Sequence, residues 1–356
     1  MKTESQSFRF DKFDGNPVLR PDPAHPWENL VVCNPGVIHD GERFVMLYRA
    51  AGDDPEHVIH FGLATSVDGF HFDRDSPEPI LSPSPDGPDA GCIEDPRIVR
   101  LDGRYYITYA YRAYHPQRYW LRENNAAYSP EDPTLPPLLG RNMTASGLLV
   151  SDDMRTFRRL GRITRPDVDD RDVILFPEKI GGRYVMLHRP MQWTGPLYGT
   201  DHPAIWLSLS DDLLSWPKSV LLAKSEQPWE NKIGGSTPPL RTDQGWLVIY
   251  HAVDSKGVYR VGAMMLDAED PSKVLARTPS PIMEPETDFE WNGLYPHGVV
   301  FPTANVVLNG ILYMYYGCAD ETIGVATANL TALVAHVMRF PTPDAAPVTH
   351  AVCVGS

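Results

Sequence analysis

The feature of this sequence that most restricts its fold is a strand pattern that recurs five times. Each copy follows a glycine-containing turn, alternates apolar and aromatic residues, and ends on polar positions; the copies are 39–50, 101–113, 172–190, 242–253 and 308–320. A second strand-like stretch follows each copy, at 60–72, 145–157, 204–216, 259–274 and 322–334. Alternation with a period of two residues indicates strands. Three of the second stretches close with Ser-x-Asp, which favours a β-turn. The repeating unit is therefore predicted to be a β-hairpin.

Proline-rich segments connect these hairpins and predict a third strand in each unit. The segments are EDPRIV, ILFPEKI, STPPLR and VVFPTANV. Proline lacks the N–H that a central ladder uses, so we interpret each segment as an inner strand that proline kinks or starts. Small antiparallel sheets repeated around a centre form a β-propeller. We predict an all-β, five-bladed propeller, with residues 1–356 forming one domain.

Two further segments lie outside the repeat. Residues 330–339 place apolar side chains at helical spacing, which predicts one short C-terminal helix on the outside of the propeller. Residues 113–142 interrupt the second unit and are rich in proline and aromatic residues. Two interpretations of this insertion stay open: a loop over a functional site, or an irregular surface or oligomer contact.

Polar residues close the first strand of every hairpin. We align them as Arg49, Arg112, Arg189, His251 and the segment 318–320. Equivalent positions on radially related blades converge at one end of the central channel, so we expect Arg49, Arg189, His251 and Asp320 to meet there. The alternative is that each is a strand-end charge that faces water.

Charge and cysteine usage limit the partners. The net charge of −14 argues against nucleic acid or an anionic membrane, which basic surfaces bind. The N-terminal stretch lacks a signal-peptide core and no stretch is apolar enough to span a membrane, so we expect a cytoplasmic protein. The four cysteines are far apart and no metal-ligand spacing occurs, so we expect reduced thiols and no metal. A homo-oligomer is left open.

The candidate functional residues combine few acids with many cations. The acids are Asp95, Asp320 and Glu178, and the bases or cations are Arg49, Arg171, Arg189, Lys232 and His251. An ordinary glycosidase uses two carboxylates. One acid beside several cations instead favours a sugar site in which an anion such as phosphate is the nucleophile, held by arginine and histidine.

Five motifs, in this order, resemble glycoside hydrolase family 130, the β-mannoside phosphorylases and their hydrolytic relatives. They are EDPRI, LFPEKI with LHRP, KIGGSTPP with GWLVIYHAV, VVFPTANV and YYGCADETIGVA. The resemblance runs from about Asn34 to Ala328 and implies a five-bladed propeller. It also implies that Asp95 is the sole general acid, passing its proton through the mannose 3-hydroxyl to the glycosidic oxygen.

The resemblance implies roles for eight further residues. Asn34, Arg49, Lys232 and Asp320 match positions that hold the mannosyl unit, and Arg171, Arg189, His251 and Tyr259 match positions that bind phosphate. The implied reaction is inverting phosphorolysis of a β-mannoside to α-mannose 1-phosphate and a shortened sugar, with inorganic phosphate as co-substrate and no cofactor. A β-mannosidase that uses water is the alternative, and a non-catalytic sugar-binding propeller is the third hypothesis.

Some residues fall outside these assignments. We expect Arg97 to be an internal salt-bridge partner of Asp95 or Glu94, and His188 to face away from the phosphate and to be structural. The acidic residue after Arg171, the sequence GGSTPP and the 113–142 insertion depart from the family pattern, so the acceptor subsite is not fixed. Its candidates are Tyr119, Trp120, Trp193, Tyr198 and His297. The linkage and the acceptor sugar are left open.

Overall fold

The computed structural model describes residues 8–123 and 126–343, and the backbone of 352–353. Its strands form five antiparallel sheets, each a blade of a β-propeller, which confirms the predicted fold class. Blade 1 contains β2 (Val31–His39), β3 (Phe44–Ala51), β4 (Ile59–Ser66) and β5 (Asp73–Arg74). Blade 2 contains β6 (Cys92–Leu101), β7 (Arg104–Arg112), β8 (Ala145–Ser151) and β9 (Arg158–Arg162).

The remaining blades follow in chain order. Blade 3 contains β10 (Asp170–Leu175), β11 (Tyr184–Pro190), β12 (Ile205–Ser210) and β13 (Lys218–Ala223). Blade 4 contains β14 (Lys232–Gly235), β15 (Leu240–Thr242), β16 (Gly245–Val253), β17 (Tyr259–Leu266) and β18 (Val274–Arg277). Blade 5 contains β19 (Val300–Leu308), β20 (Ile311–Cys318) and β21 (Thr322–Asn329). The first strands contact one another, β19 with β2, β2 with β6, β6 with β10 and β10 with β14, so they line the centre.

The chain termini complete two blades. The N-terminal strand β1 (Asp11–Lys12) pairs with β21, so blade 5 is built from both ends of the propeller sequence. This closure joins the first and last parts of the ring. The short strand β22 (Val352–Cys353) pairs with β13 and adds a fifth strand to blade 3. The hairpin repeat gives no sign of either addition.

Proline-containing inner strands occur where the sequence predicts them in blades 2 and 5. EDPRIV lies in β6 and VFPTANV lies in β19. The other two segments differ, since only the first two residues of ILFPEKI belong to β10, and in STPPLR only the last two residues belong to a strand, β15. The Ser-x-Asp turns form as expected: Ser66 Oγ, Ser151 Oγ and Ser210 Oγ each accept a hydrogen bond from the backbone N–H three residues later.

Four blades share a buried acid–tyrosine–cation cluster. The clusters are Glu28–Tyr48–Arg74, Asp89–Tyr109–Arg159, Glu230–Tyr250–Arg277 and Glu290–Tyr316–Lys12. Each tyrosine hydroxyl donates to its acid at 2.8–3.1 Å, and each cation lies 2.7–2.9 Å from the same acid. The tyrosines belong to the strand next to the inner strand of each blade, and the cations belong to β5, β9, β18 and β1, so each cluster ties an outer strand to the second strand of its blade.

Helical structure in the described residues is short. The 3-10 helix Tyr119–Leu121 and helix α1 (Pro137–Gly140) lie in the insertion, and α2 (Asp288–Trp291) precedes β19. Helix α3 (Leu330–Val337) begins as predicted and ends two residues before the predicted position. Its apolar face is buried against β17 and β21. Among the described residues, no helix has the length and apolar character that crossing a bilayer requires.

Candidate active site

Three innermost strands carry a bulge at the same place. Pairing shifts after Cys33 in β2, after Glu94 in β6 and after Arg171 in β10. The next residues, Asn34, Asp95 and Asp172, have φ of 46°, 57° and 53°. Asn and Asp are the non-glycine residues that best tolerate this left-handed conformation. A bulge leaves its residue out of the ladder and re-aims the side chain, so the three polar groups are turned out of their sheets at the channel.

Asp95 lies at the centre of one half of the site. Its Oδ1 accepts a hydrogen bond from Asn34 Nδ2 at 2.8 Å and lies 3.3 Å from Arg49 Nη1. The side chain of Asp95 remains 16% exposed, whereas that of Arg49 is 6% exposed. The carboxylate is therefore held by buried neighbours while still reachable from the channel.

Arg49 connects Asp95 to the insertion. Its Nη1 lies 3.2 Å from Glu94 Oε2, and its Nη2 donates to the Tyr119 hydroxyl at 3.4 Å. Tyr119 belongs to the 3-10 helix of the 113–142 segment. Part of the insertion therefore reaches the site, as in the first of the two interpretations.

Asp172 is the centre of the other half. Its Oδ2 accepts from Arg189 Nε at 2.5 Å and lies 3.5 Å from His251 Nε2, while Oδ1 lies 3.6 Å from Arg97 Nη2. Burial acts to raise the pKa of Asp172, but Arg189, His251 and Arg97 outweigh it and hold that pKa far below its usual range. The carboxylate is ionised and shared by three basic side chains.

His251 is neutral in this arrangement. Burial, opposed by Asp172 and reinforced by Arg189, lowers the pKa of His251 to about 3. Its Nε2 faces Asp172, and its Nδ1 lies 3.2 Å from Ser236 Oγ. Both ring nitrogens thus have partners within the protein, and a cationic His251 is not available near neutral pH.

Arg171 and Arg189 are side by side. Their Cα atoms pair across β10 and β11, and residues directly opposite in an antiparallel pair project to the same face. Arg171 donates from Nε and Nη2 to Asp169 at 2.5 and 2.9 Å. Both guanidiniums, after burial, contribute to the lowered pKa of Lys232, so the three cations share one region.

Burial shifts the pKa values of Lys232 and Asp320, two of the predicted sugar contacts, toward neutral pH. Burial first, then Arg189 and Arg171, lower the pKa of Lys232 to about 7; its Nζ donates to the Tyr259 hydroxyl at 3.4 Å. Burial raises the pKa of Asp320, which Arg49 opposes and the Asp95 carboxylate supports. Asp320 therefore lies close enough to Asp95 and Arg49 to interact with their charges.

The sequence model of glycoside hydrolase family 130, described as beta-1,4-mannooligosaccharide phosphorylase, matches residues 9–129 and 140–339. The chain belongs to this family. A 1,2-beta-oligomannan phosphorylase of Thermoanaerobacter sp. (strain X514) is 36% identical over 335 residues, which is 89% of this chain and 96% of the relative. A beta-1,2-mannobiose phosphorylase of the same strain is 36% identical over 332 residues, covering 90% and 97%.

Solved structures of the family share the fold. The beta-1,2-mannobiose phosphorylase of Listeria innocua, in complex with beta-1,2-mannobiose, superposes with a TM-score of 0.74 over 92% of this chain and 99% of that chain, at 24% identity. At this identity the likeness shows the propeller fold. The position of each site residue comes from the contacts described above.

Two positions of the predicted repeat alignment were wrong. In the strand pairing, Arg49 and Arg189 lie opposite the residue before the bulge, and the equivalent residue of blade 2 is Ala110, opposite Glu94. Arg112 lies two residues further on, where its Nη1 donates to the backbone oxygen of Asn142 in the insertion. In blade 5 the residue that follows the cluster tyrosine, as Arg49, Ala110 and His251 follow theirs, is Gly317, not the 318–320 segment. Tertiary pairing sets these positions, whereas the alignment relied on strand ends.

Two structural assignments agree with the geometry. Arg97 donates from Nη1 to the backbone oxygen of Asp95 at 2.8 Å, and its salt bridges are to Asp95 and Asp172 rather than Glu94. His188 points to the other face of β11, where Nδ1 lies 2.8 Å from Asp170 and Nε2 lies 3.0 Å from Ser208 Oγ.

The aromatic acceptor candidates divide into two groups. Tyr119 contacts Arg49, and Trp120 packs beside it against His57. Trp193 is buried and stacks with Tyr198, with 5.8 Å between the ring centroids. Both rings pack in a cluster with Trp206, so both are used for packing. His297 is exposed beside Tyr295. Tyr119 is the candidate that the structure joins to the Asp95 half of the site.

Sequence reasoning missed Asp172 and Glu94 as members of the site. In the sequence, Asp172 is noticeable only because an acidic residue after Arg171 departs from the family pattern. Its position next to an arginine of a predicted inner strand is a signal that could have indicated a site residue. Glu94 directly precedes Asp95, and alternation alone would send it to the opposite face. The bulge removes that alternation and brings both acids to Arg49.

One cluster of the described residues has metal-like geometry outside the site. Ligand atoms of Asp22, His25 and Glu28 lie within 4.8 Å of one another. Glu28 already accepts from Arg74 and Tyr48 in its acid–tyrosine–cation cluster. We therefore assign these residues to blade structure.

Proposed function

We propose that this protein is an inverting phosphorylase that cleaves a β-mannoside with inorganic phosphate, giving α-mannose 1-phosphate and a shortened sugar. The observation that carries the proposal is the division of the site. A reachable carboxyl, Asp95, lies in one half, and the cations Arg171, Arg189 and Lys232 gather in the other. Arginine suits phosphate because its planar fork donates two parallel hydrogen bonds.

The reaction assigns one role to each half. A phosphate oxygen attacks C1 of the mannosyl unit while the C1–O bond to the leaving sugar breaks, and Asp95 supplies the proton that the leaving oxygen needs. The product phosphate then returns a proton to Asp95, so that no net proton is consumed. Arg49, Asn34 and Asp320, together with Lys232, hold the mannosyl unit, and Arg171 and Arg189 hold phosphate in line. Tyr259 lies beside Lys232, and His251 acts through Asp172.

Hydrolysis is the second candidate, because Asp172 is a second carboxylate in the site. Arg97 lies between the two acids, 3.8 Å from Asp95 Oδ2 and 3.6 Å from Asp172 Oδ1. An inverting glycosidase needs such a second carboxylate to activate water. Three basic neighbours hold the pKa of Asp172 far below its usual range, however, which makes it a weak base. The charge state of Asp172 therefore favours phosphate over water as the nucleophile.

We further propose a β-1,2-linked mannoside as the substrate. Two relatives at 36% identity are phosphorylases of 1,2-linked mannosides, whereas the beta-1,4-mannooligosaccharide phosphorylase of Ruminococcus albus is 27% identical. The greater identity supports the 1,2 linkage. The released sugar is mannose or a shorter oligomannoside on this proposal.

The test is run in both directions. The protein is incubated with α-mannose 1-phosphate and a panel of mannose, glucose and N-acetylglucosamine, and phosphate release is measured; in the forward direction β-1,2- and β-1,4-mannobiose are supplied with and without phosphate. We expect phosphate-dependent cleavage of the 1,2-linked disaccharide. Cleavage that ignores phosphate would identify a hydrolase, and the absence of turnover in both directions would leave a sugar-binding propeller.

A further inference from the structure

We infer that Asp172 makes the anion site selective for an oxyanion that carries a proton, so that phosphate binds and sulfate is rejected. The inference rests on the proposed phosphorolysis. It concerns a specificity-determining residue: Asp172 would accept a hydrogen bond from a P–OH group, while the neighbouring cations bind the other phosphate oxygens.

The two oxygens of Asp172 have different surroundings. Oδ2 is engaged by Arg189 Nε and faces His251 Nε2. Oδ1 accepts no hydrogen bond from the residues that the structure describes, and its closest basic neighbour is Arg97 Nη2 at 3.6 Å. One oxygen is thus committed to the protein, and the other has capacity for a donor.

Arg97 supplies the complementary observation. The residue is only 3% exposed, and its Nη2 is buried without a hydrogen-bond acceptor among the described residues. A single hydroxyl that donates to Asp172 Oδ1 and accepts from Arg97 Nη2 would satisfy both groups. A protonated phosphate oxygen has both capacities, because the oxygen accepts while its hydrogen is donated.

A carboxylate among anion-binding cations would otherwise oppose the function. It neutralises part of the positive charge and repels an incoming anion. Such an element is useful where it excludes a competitor, since specificity is a difference of affinities and often requires a repulsive group. Near neutral pH, phosphate retains at least one proton, whereas sulfate retains none and would place a bare oxygen against Oδ1.

The packing around Asp172 leaves its carboxylate little room to move. A Cβ at Gly234 would overlap Asp172 Oδ2 and His251, so the glycine lets β14 approach the carboxylate. Asp172 is itself 6% exposed and belongs to the bulge of β10. The carboxylate cannot simply turn away when sulfate enters, and a purely structural role would not distinguish the two anions.

The experiment measures phosphorolysis of the mannoside at increasing phosphate, with sulfate as competitor and arsenate as a phosphate substitute. Arsenate has the same shape and also carries a proton near neutral pH. For the unaltered protein we expect arsenate to support cleavage and the sulfate inhibition constant to exceed the phosphate KM by at least about 100-fold, because sites built for a hydroxyl strongly reject analogues that lack it. In Asp172→Asn, the amide N–H can face sulfate, and we expect the ratio to fall at least about tenfold.

Asp211→Asn is the matched control, because it makes the same aspartate-to-asparagine change at an exposed turn between β12 and β13 of the same blade. It should leave the ratio unchanged. Sulfate that competes within about threefold of phosphate in the unaltered protein would overturn the inference, as would an unchanged ratio in a folded, phosphate-dependent Asp172→Asn. If that variant does not fold, the sulfate and arsenate titrations of the unaltered protein still decide. Cleavage that needs neither phosphate nor arsenate would instead refute the proposed function.

Discussion

Replacing Asp95 with asparagine removes the proposed acid while conserving its shape. The amide oxygen of the new side chain can still accept from Asn34 Nδ2 and Arg49 Nη1, the partners that lie 2.8 and 3.3 Å from Asp95 Oδ1. The variant should therefore fold normally and retain phosphate binding. It cannot donate the proton, so we expect kcat/KM on a mannobiose to fall by roughly 10²–10⁴-fold, or about 2.7–5.4 kcal/mol of transition-state stabilisation.

The assay compares two leaving groups. The oxygen of a departing sugar is strongly basic and needs a proton as the bond breaks. Nitrophenolate is a weak base and leaves without one. We therefore expect the loss in Asp95→Asn to shrink below about tenfold with p-nitrophenyl β-mannoside, measured by phosphate-dependent initial rates. An equal loss on both substrates would refute Asp95 as the acid and leave it a binding residue.

Asp320→Asn serves as the comparison variant, because burial raises the pKa of Asp320 and makes it the rival proton donor. On the proposed assignment, this change weakens mannoside binding and affects both substrates alike. A leaving-group dependence in Asp320→Asn, and none in Asp95→Asn, would exchange the two roles.

Three further predictions test the anion site and the blade structure. Arg189→Lys should raise the phosphate KM by at least about tenfold, because lysine lacks the Nε that binds Asp172 and the second donor of a fork; an unchanged KM would argue against an anion contact. Phosphate binding should weaken above about pH 7, because Lys232, a mannosyl contact whose charge also adds to that of Arg189 and Arg171, then loses its proton; Lys232→Met should abolish that part of the pH profile of kcat/KM for phosphate. Glu230→Gln should lower the free energy of unfolding by about 3–5 kcal/mol in urea titrations, because it removes the buried anion of Arg277 and leaves only the exposed Glu226, 3.6 Å from Nη1; a loss below about 1 kcal/mol would show that the cluster contributes little.

The fold could be predicted from the sequence because the two-residue alternation of its strands recurs in five hairpins. Five hairpins with alternating residues predict the blades, and the Ser-x-Asp turns form between strands as expected. The closure of blade 5 by β1 was not accessible, since a two-residue strand has no periodicity to detect. A further signal was present but unused. Gly62, Gly147, Gly262 and Gly324 each lie where a Cβ would overlap a tyrosine ring of an acid–tyrosine–cation cluster.

Less of the candidate site could be predicted from the sequence. Arg171 and Arg189 do project from one face, because strand pairing follows the hairpin pattern that the sequence displays. Alternation fails where a bulge intervenes, and the sequence does not mark a bulge with a fixed residue. Proline follows Asn34 and Asp95 but not Asp172, so a search for Asn-Pro and Asp-Pro finds two of the three positions.

The three bulges explain why this fold can carry the proposed chemistry. A regular inner strand would present alternate side chains to its neighbouring blades and leave only its edge to the channel. The bulge in each of β2, β6 and β10 instead turns one short polar side chain out of its sheet, and it does so at the same level around the ring. Blade 1 places an amide there, blade 2 a carboxyl held by that amide, and blade 3 a carboxylate held by arginines. Because these three blades repeat the backbone but not the residue, one structural irregularity yields both an acid and an anion-binding half.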